Sequence, residues 1–291
     1  MEALRRRIEV RVMSLSGLAL GQIDYEHPEG DPGLFGPESM PWEVHSDFTS
    51  MLVGGIASLL LQMLHPLALA GVWDHSNFRQ DMLGRLRRTG QFVAGTSFAP
   101  TVSADWLIDK VRTIHLKVTG TAADGRRYAA SDPALLTWVH VAEVSCFLAG
   151  YLRYLNPQLS GAEQDRYYAE IALVAERLGA TDVPKSRQAV ADYLDAMRPQ
   201  LVCDERTREI CRILLNAPAP SRSAVPISRL FMQAGIDLLP AWTQQQLGLQ
   251  QAAWQRPLIR AGVHSLAPIL RWAVRNGASH RSRKRMGLPP R

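Results

Sequence analysis

Histidine and arginine carry most of the chemistry that this 291-residue sequence can offer. His140 shares a helical face with Leu136, Val144, Phe147 and Tyr151, so its imidazole points into apolar surroundings. A buried imidazole must satisfy both ring nitrogens. Two readings stay open: a core histidine hydrogen-bonded to a carbonyl, or a neutral imidazole on a rigid helix that gives one nitrogen to a metal or a haem iron. Arg112 and His115, three residues apart, lie on one face of the preceding helix near Ile108 and Val111. A guanidinium on a partly apolar face is costly unless an acceptor meets it. Either Arg112 sits at the margin and pairs with Asp109 or Asp105, or both polar groups face inward and, with the helix of His140, sandwich a planar anionic cofactor such as haem.

The remaining polar residues read more plainly. His65, just before Pro66 at a helix bend, is expected to cap backbone groups, and Asp74 with His75 to form a charge-assisted pair at a turn. Glu143, three residues past His140, either supports that imidazole or occupies a solvated helix position, the second being expected, and Tyr167 and Tyr168 are expected as packing aromatics. His27, His45, His264 and His280 fall in loop or terminal segments. The sequence contains no His-Glu-x-x-His, no phosphate-binding Gly-x-x-x-x-Gly-Lys-Ser/Thr and no Gly-x-Gly-x-x-Gly. Gly95-Thr96-Ser97-Phe98-Ala99 misses a nucleophile elbow at its last position, and no strand precedes it. No histidine has a glutamate three residues before it, which excludes a ferritin-like di-iron site. Cys146, Cys203 and Cys211 form no Cys-x-x-Cys pair, so neither a disulfide framework nor a thiolate zinc site is expected. Glu9 and Arg11 interrupt the N-terminal apolar run, and a reducing cytoplasm is the expected compartment.

The elements that must hold these residues are helical. At 46% hydrophobic, 21% charged and a mean hydropathy of −0.10, the chain reads as a folded, water-soluble one, which excludes a disordered polymer and a membrane bundle. Asp47 caps a helix that Pro66 should stop; Asp132-Pro133 starts another, reaching about Tyr154; Ser160 with Glu163 gives a capping box for a third that ends at Gly179. Further helices are expected over residues 77–88, 103–119 (capped by Ser103), 184–197, 204–215, 228–238 and 242–247. Residues 22–41 read as an irregular lead-in loop, residues 216–226, with Pro218, Pro220 and Pro226, as a linker, and Pro257 and Pro268 punctuate the last segment. Residues 51–72 are long enough to span a bilayer, yet Gln62, His65, Pro66 and Gly54-Gly55 make them a buried core helix. No period-two strand is visible, so the class is all-α. Of the net charge of +6, much sits at the ends, in Arg5, Arg6, Arg7 and Arg11 and in Arg271, Arg275, Arg281, Arg283, Lys284, Arg285 and Arg291. Such ends suit an anionic surface, or are simply solvated tails.

At these residues the chain resembles a known bacterial family. The marks are Leu64-His65-Pro66, Gly71-Val72-Trp73-Asp74-His75-Ser76, Arg112-Thr113-Ile114-His115, Val118, Gly120, Tyr128, and Asp132-Pro133-Ala134-Leu135-Leu136-Thr137-Trp138-Val139-His140. Later come Leu159-Ser160, Glu163, Tyr167-Tyr168, Glu170, Leu178-Gly179, Val183-Pro184, Leu238-Leu239-Pro240 and Leu247-Gly248-Leu249. This ordered set resembles the MpaB-like or rubber-oxygenase catalytic-domain family, also called DUF2236, from about Pro41 to Leu249. The resemblance implies an all-helical, globin-related single domain with a b-type haem, whose characterised members cleave double bonds of isoprenoid chains with dioxygen or otherwise oxidise apolar substrates. It implies His140 as the proximal iron ligand and Arg112 and His115 on the distal side. The rubber-cleaving members carry lysine where His115 stands, and the segment from Thr96 to Pro100 departs from the family's usual Phe-Gly.

The expected organisation is an irregular N-terminal arm over residues 1–40, a haem-binding helical domain over 41–250 and a basic C-terminal helical extension and tail over 251–291. The expected function is a haem b-dependent oxygenase using dioxygen or peroxide on an apolar small molecule, isoprenoid or unsaturated and lipid-like, with no nucleic-acid partner. The competing reading is a non-catalytic binder of haem or an apolar ligand, at the membrane surface. Peripheral contact with an anionic membrane, through the basic ends, belongs to both.

Overall fold

A computed structural model describes residues 1–15, 17–219 and 221–289 of the chain, and the described residues form fourteen α-helices and one two-stranded hairpin. The first helices are α1 (Glu2–Leu15), α2 (Met40–Val44), α3 (Phe48–Gln62), α4 (Pro66–His75), α5 (Met82–Phe98) and α6 (Thr101–His115). Strands β1 (Thr119–Thr121) and β2 (Arg127–Ala129) follow. Then come α7 (Pro133–Tyr154), α8 (Gly161–Leu178), α9 (Arg187–Met197), α10 (Glu205–Leu215), α11 (Val225–Leu238), α12 (Ala241–Leu247), α13 (Gln255–Ala273) and α14 (Ala278–Arg285).

Local chemistry explains most boundaries. The Asp47 carboxylate accepts the Ser50 amide at 2.8 Å and opens α3; Asp132 accepts the amides of Ala134 and Leu135 and, with Pro133 in the first turn, opens α7. Ser160 and Glu163 cap each other at the head of α8, and Gly179, at φ +108°, closes it in the left-handed conformation. The 51–72 stretch is two helices rather than one: α3 and α4 meet at a 103° bend where Pro66 cannot continue the first. Only α7 is by itself long and apolar enough to cross a membrane among the described residues, and 72% of that window is buried inside the fold. It is the central core helix. Trp138 and Ala142 on α7 join Val53, Leu60 and Leu61 of α3 in a core that continues into α10 and α11. The α3–α7 crossing is close enough to require glycine: a Cβ on Gly150 would lie 2.6 Å from the Ser50 carbonyl oxygen, and one on Gly54 2.8 Å from that of Cys146.

Several expectations are corrected. Residues 77–81 form a turn; α5 starts after Asp81 and runs through Gly95 and Ser97 to Phe98, because Asp81 caps at Gly84 and nothing breaks the helix before Ala99-Pro100. Ser103 lies inside α6, not at its start. The cap there is tertiary, Asp31 accepting both the amide and the hydroxyl of Thr101. The hairpin turns at Asp124-Gly125, with Gly125 at φ +84°, and its strands are too short to display an alternation. Pro226 and Pro257 each stand in a first helical turn, where proline is tolerated, so they start α11 and α13, whereas Pro268 sits inside α13. Pro220 and Arg291 lie outside the described residues.

The ends are folded, which their basic composition does not suggest. Within the 1–40 arm, α1 is helical and packs on α13: Arg5 is 8% exposed, pairs with Glu2 and Glu9 and donates to the Ala273 carbonyl at 2.8 Å. Arg271 bonds Asp47 and the Tyr154 carbonyl. Arg285, 2% exposed, donates to the carbonyls of Tyr25, Asp31 and Phe98 and so ties α14 to the lead-in loop and to the end of α5. A guanidinium's five fixed donors suit such carbonyl clusters.

Candidate active site around His140

The α3–α7 contact and the capping of α7 by Asp132 fix the register that turns His140 inward. Its neighbours on that face, Leu136, Val144, Phe147 and Tyr151, are all buried, as the spacing requires. The imidazole itself is 8% exposed. Desolvation lowers its pKa to about 4, so it is neutral at physiological pH. Among the described residues neither ring nitrogen has a hydrogen-bond partner. The reading of a core histidine bonded to a carbonyl therefore fails on this geometry.

Beside it stands a residue that sequence reasoning passed over. His45, at the end of α2, is buried against the ring of Phe147 and lies close enough to His140 to feel its charge. The Ser97 hydroxyl donates to the Val93 carbonyl at 2.7 Å, so its lone pairs accept Nδ1–H of His45 at 2.7 Å, and Nε2 of His45 accepts the Tyr167 hydroxyl at 2.8 Å. Burial, then the neighbouring His140, lowers His45 to about 3. The chain Tyr167 to His45 to Ser97 to Val93 thus holds one tautomer. Sequence gave no signal for it, because α2 is only five residues long and its contacts lie 52 and 122 positions away. The same bonds settle the near-elbow motif: Ser97 is 1% exposed within α5 and already donates its proton, so it is no exposed nucleophile. Tyr167 and Tyr168 do pack as expected, their rings in tilted contact at 5.6 Å inside the core.

Glu143, one turn along from His140, is only partly solvated. It keeps an intermediate share of its surface, yet burial raises its carboxyl to about 7. Tyr167 and Cys146 lie within range of its charge. This places a carboxyl that can hold or release a proton near neutrality beside the buried imidazole.

The residues of the preceding helix sit differently. Arg112 is exposed and pairs with Asp109 at 3.0 Å, which is the marginal position weighed from the sequence. His115, at the last residue of α6, is half-buried; its Nδ1 is enclosed without a partner and desolvation lowers its pKa. Among the described residues neither forms a hydrogen bond or ion pair with His140. The structure thus leaves His140 and the Arg112–His115 pair as separate features. His65 does cap: its Nδ1 accepts the Ala68 amide at 3.4 Å at the head of α4, and burial, lowering it to about 4, keeps it an acceptor. Asp74 and His75 do not pair with each other. As successive helical residues they point apart, Asp74 accepting from the Tyr128 hydroxyl at 2.6 Å and His75 bonding the Thr119 carbonyl at 3.1 Å, so both fasten the hairpin to α4.

As a donor set this fits a haem better than a bare ion. Among the described residues no group of three or more His, Cys, Asp or Glu side chains is placed to hold a metal, whereas a haem takes a single neutral imidazole on its proximal side. His140 offers a neutral imidazole with no hydrogen-bond partner among the described residues, and Glu143, one helical turn along, has a carboxyl of near-neutral pKa. The comparison with known proteins bears on the same region. Residues 42–272 match the family described as ER-bound oxygenase mpaB/B'/Rubber oxygenase, catalytic domain, a span that runs from α2 almost to the end of α13. No curated protein and no solved structure matches the chain.

Proposed function

The chain belongs to the mpaB/rubber oxygenase catalytic-domain family, and from that premise we propose that it is a haem b-dependent oxygenase, with His140 as the axial ligand and an apolar substrate. The observation that carries the reading is the buried, neutral and unpartnered imidazole at the centre of the family's matched span. Haem held there supplies the iron chemistry that activates dioxygen or peroxide. The protein's own contribution is positional. Gly54 and Gly150 let α3 and α7 approach and lock the helix that aims His140. Val144 and Phe147 share the buried apolar helix face of the imidazole, and Glu143, one turn along, can hold or give up a proton near neutrality.

Arg112 and His115 are assigned the distal side. His115 brings a desolvated nitrogen that still lacks a partner. The Arg112–Asp109 pair is exposed, and such pairs contribute about 0–1 kcal/mol, so the guanidinium is readily recruited by a ligand. Of the 51–72 stretch, Leu59 and Met63 border a water-sized pocket of about 10 Å³ that Arg85 also lines, and Leu60 and Leu64 are fully buried core, so the case for an apolar substrate rests on the family. Delivery from an anionic membrane is supported by exposed Trp254, Leu258 and Ile269 along α13 and exposed Leu4 and Val10 on the adjoining α1. The exposed Arg6, Arg7, Arg11 and Arg275 flank them, in place of the internally bonded Arg5, Arg271 and Arg285.

His140→Ala tests the assignment: the purified variant is expected to keep its helical content and lose stoichiometric haem, and a wild-type Soret band in it overturns His140 as ligand. Arg112→Ala and His115→Ala are expected to keep haem but shift its cyanide and carbon monoxide spectra. Each hydrogen bond to a charged ligand contributes about 1.5–3 kcal/mol, roughly ten- to a hundredfold in rate if expressed in the transition state. Unchanged spectra in both remove them from the distal side. Turnover of an added isoprenoid separates an oxygenase from a binder, and salt-sensitive co-sedimentation with anionic liposomes checks the membrane contact.

A further inference from the structure

Asp237 gathers more positive charge than it can match. Its side chain is fully buried on α11, and three arginines from two other helices converge on it, Arg153 of α7 and Arg256 and Arg260 of α13. Arg260 meets both carboxylate oxygens, at 2.7 and 3.0 Å, and Arg153 donates to one of them at 2.8 Å and to the Asp237 carbonyl at 3.0 Å. Arg256 is left over. Its Nε is enclosed 3.9 Å from the nearer oxygen, too far for a hydrogen bond, and has no partner among the described residues, while its Nη2 reaches only the Gln244 side chain at 3.1 Å. Arg271 and Asp47 pair one to one; here three guanidiniums face one carboxylate, an excess of two positive charges.

Donors are also unspent on the outer side of this cluster. Among the described residues Nε and Nη2 of Arg153, Nη1 of Arg256 and Nη1 of Arg260 donate to nothing. The three side chains keep 30, 37 and 42% of their surface exposed, so a dissolved anion can reach them although it cannot reach Asp237. The Tyr154 hydroxyl, next along α7 from Arg153, is enclosed without a partner and close enough to Arg153 and Arg260 to feel their charges. Like charges held this close repel, and a bound anion relieves that repulsion. Asp237 stands behind the guanidiniums and fixes two of them, so an anion from solvent meets their forks and not the carboxylate.

We propose that Arg153, Arg256 and Arg260 bind a doubly charged phosphate group. A dianion matches the excess of two charges, which a single carboxylate does not, and phosphate oxygens accept paired bonds from guanidinium forks. The phosphate has two sources, the headgroup of an anionic lipid or a soluble phosphate. Trp254 and Leu258, exposed at the start of the same helix, favour the lipid. That choice rests on the proposed membrane contact, whereas the site itself rests on the arginines and is independent of His140.

The test uses the full chain. It is titrated calorimetrically with inorganic phosphate against chloride at equal ionic strength, and sedimented with phosphatidylcholine vesicles carrying either phosphatidic acid, a phosphomonoester, or phosphatidylglycerol, a diester, at equal surface charge. Saturable phosphate binding is expected in wild type, weakened roughly ten- to a hundredfold in Arg256→Gln and unchanged in Arg229→Gln, which alters an exposed arginine elsewhere on α11. A preference for phosphatidic acid that Arg256→Gln loses identifies a lipid, and phosphate binding without that preference identifies a soluble phosphate; either supports the site. No phosphate binding beyond chloride, with no preference between the two lipids, overturns it. Equal sedimentation with both anionic vesicles then leaves the general membrane contact standing, and sedimentation with neither removes that too. Equal weakening in Arg229→Gln reads as diffuse charge and also overturns the site. Arg256→Gln is expected to melt close to wild type, since Asp237 keeps Arg153 and Arg260. Should it fold poorly, phosphate protection of the wild-type arginines from phenylglyoxal, read by mass spectrometry, decides: selective protection of Arg153, Arg256 and Arg260 supports the site, and protection no greater than at Arg229 overturns it.

Discussion

Three buried imidazoles, His45, His65 and His140, are held neutral by desolvation, and each uses that neutrality differently. His45 passes a hydrogen bond from Tyr167 towards Ser97, His140 keeps a nitrogen free, and His65 accepts an amide at the head of α4. The last gives a clean stability prediction. His65 titrates near 6.5 when unfolded and about 4 when folded, so between those values the unfolded chain binds more protons and stability falls as pH drops. His65→Ala is expected to cost about 0.5–2 kcal/mol at neutral pH, as the loss of a helix cap does, and His65→Asn much less. Urea unfolding at pH 7.5 and pH 5 checks this: wild type should lose stability relative to His65→Asn on acidification. A constant difference between them removes His65 as a neutral cap.

At the scale of elements the decisive contact is the crossing of α3 and α7. Alanine in place of a helical glycine ordinarily gains about 1 kcal/mol of propensity, but a Cβ on Gly150 would stand 2.6 Å from a backbone carbonyl oxygen that cannot move aside without shifting α3. Overpacking therefore wins, and Gly150→Ala is expected to destabilise by about 1–3 kcal/mol. Because the same crossing aims His140, the proposed haem binding is expected to fall with it, read from the ratio of Soret to protein absorbance. A variant as stable as wild type shows that the helices do not depend on that approach.

Over the whole molecule the two termini act as clamps on the family domain. Arg285 is the clearest case, since its guanidinium serves three carbonyls from two distant segments. Arg285→Lys preserves charge but offers one compact ammonium to a cluster shaped for a fork. Both Arg285→Lys and Arg285→Ala are expected to lower stability by about 2–4 kcal/mol, a rough figure for leaving buried carbonyls unpaired. Thermal melting checks it, with Lys284→Ala, exposed and paired only with Glu26, as a control that changes little. Full rescue by lysine points to charge alone.

How much of this was legible in the sequence follows from the range of the forces involved. Helix class, the boundaries of α3, α7 and α8, the capping role of His65 and the inward face of His140 are set by caps, prolines and a 3.6-residue period, all acting within a turn or two. The family marks lie along the same elements. The start of α6 is not legible because its cap, Asp31, is 70 residues away, and the internal bonding of the ends is not legible, beside the anionic-surface and solvated readings, because a run of arginines looks alike whether it faces water or a ring of carbonyls. His45 beside His140, the desolvation of Glu143 and the outward position of Arg112 all depend on which helices pack together. Burial and pairing are properties of the assembled surroundings, so only the tertiary structure decides them.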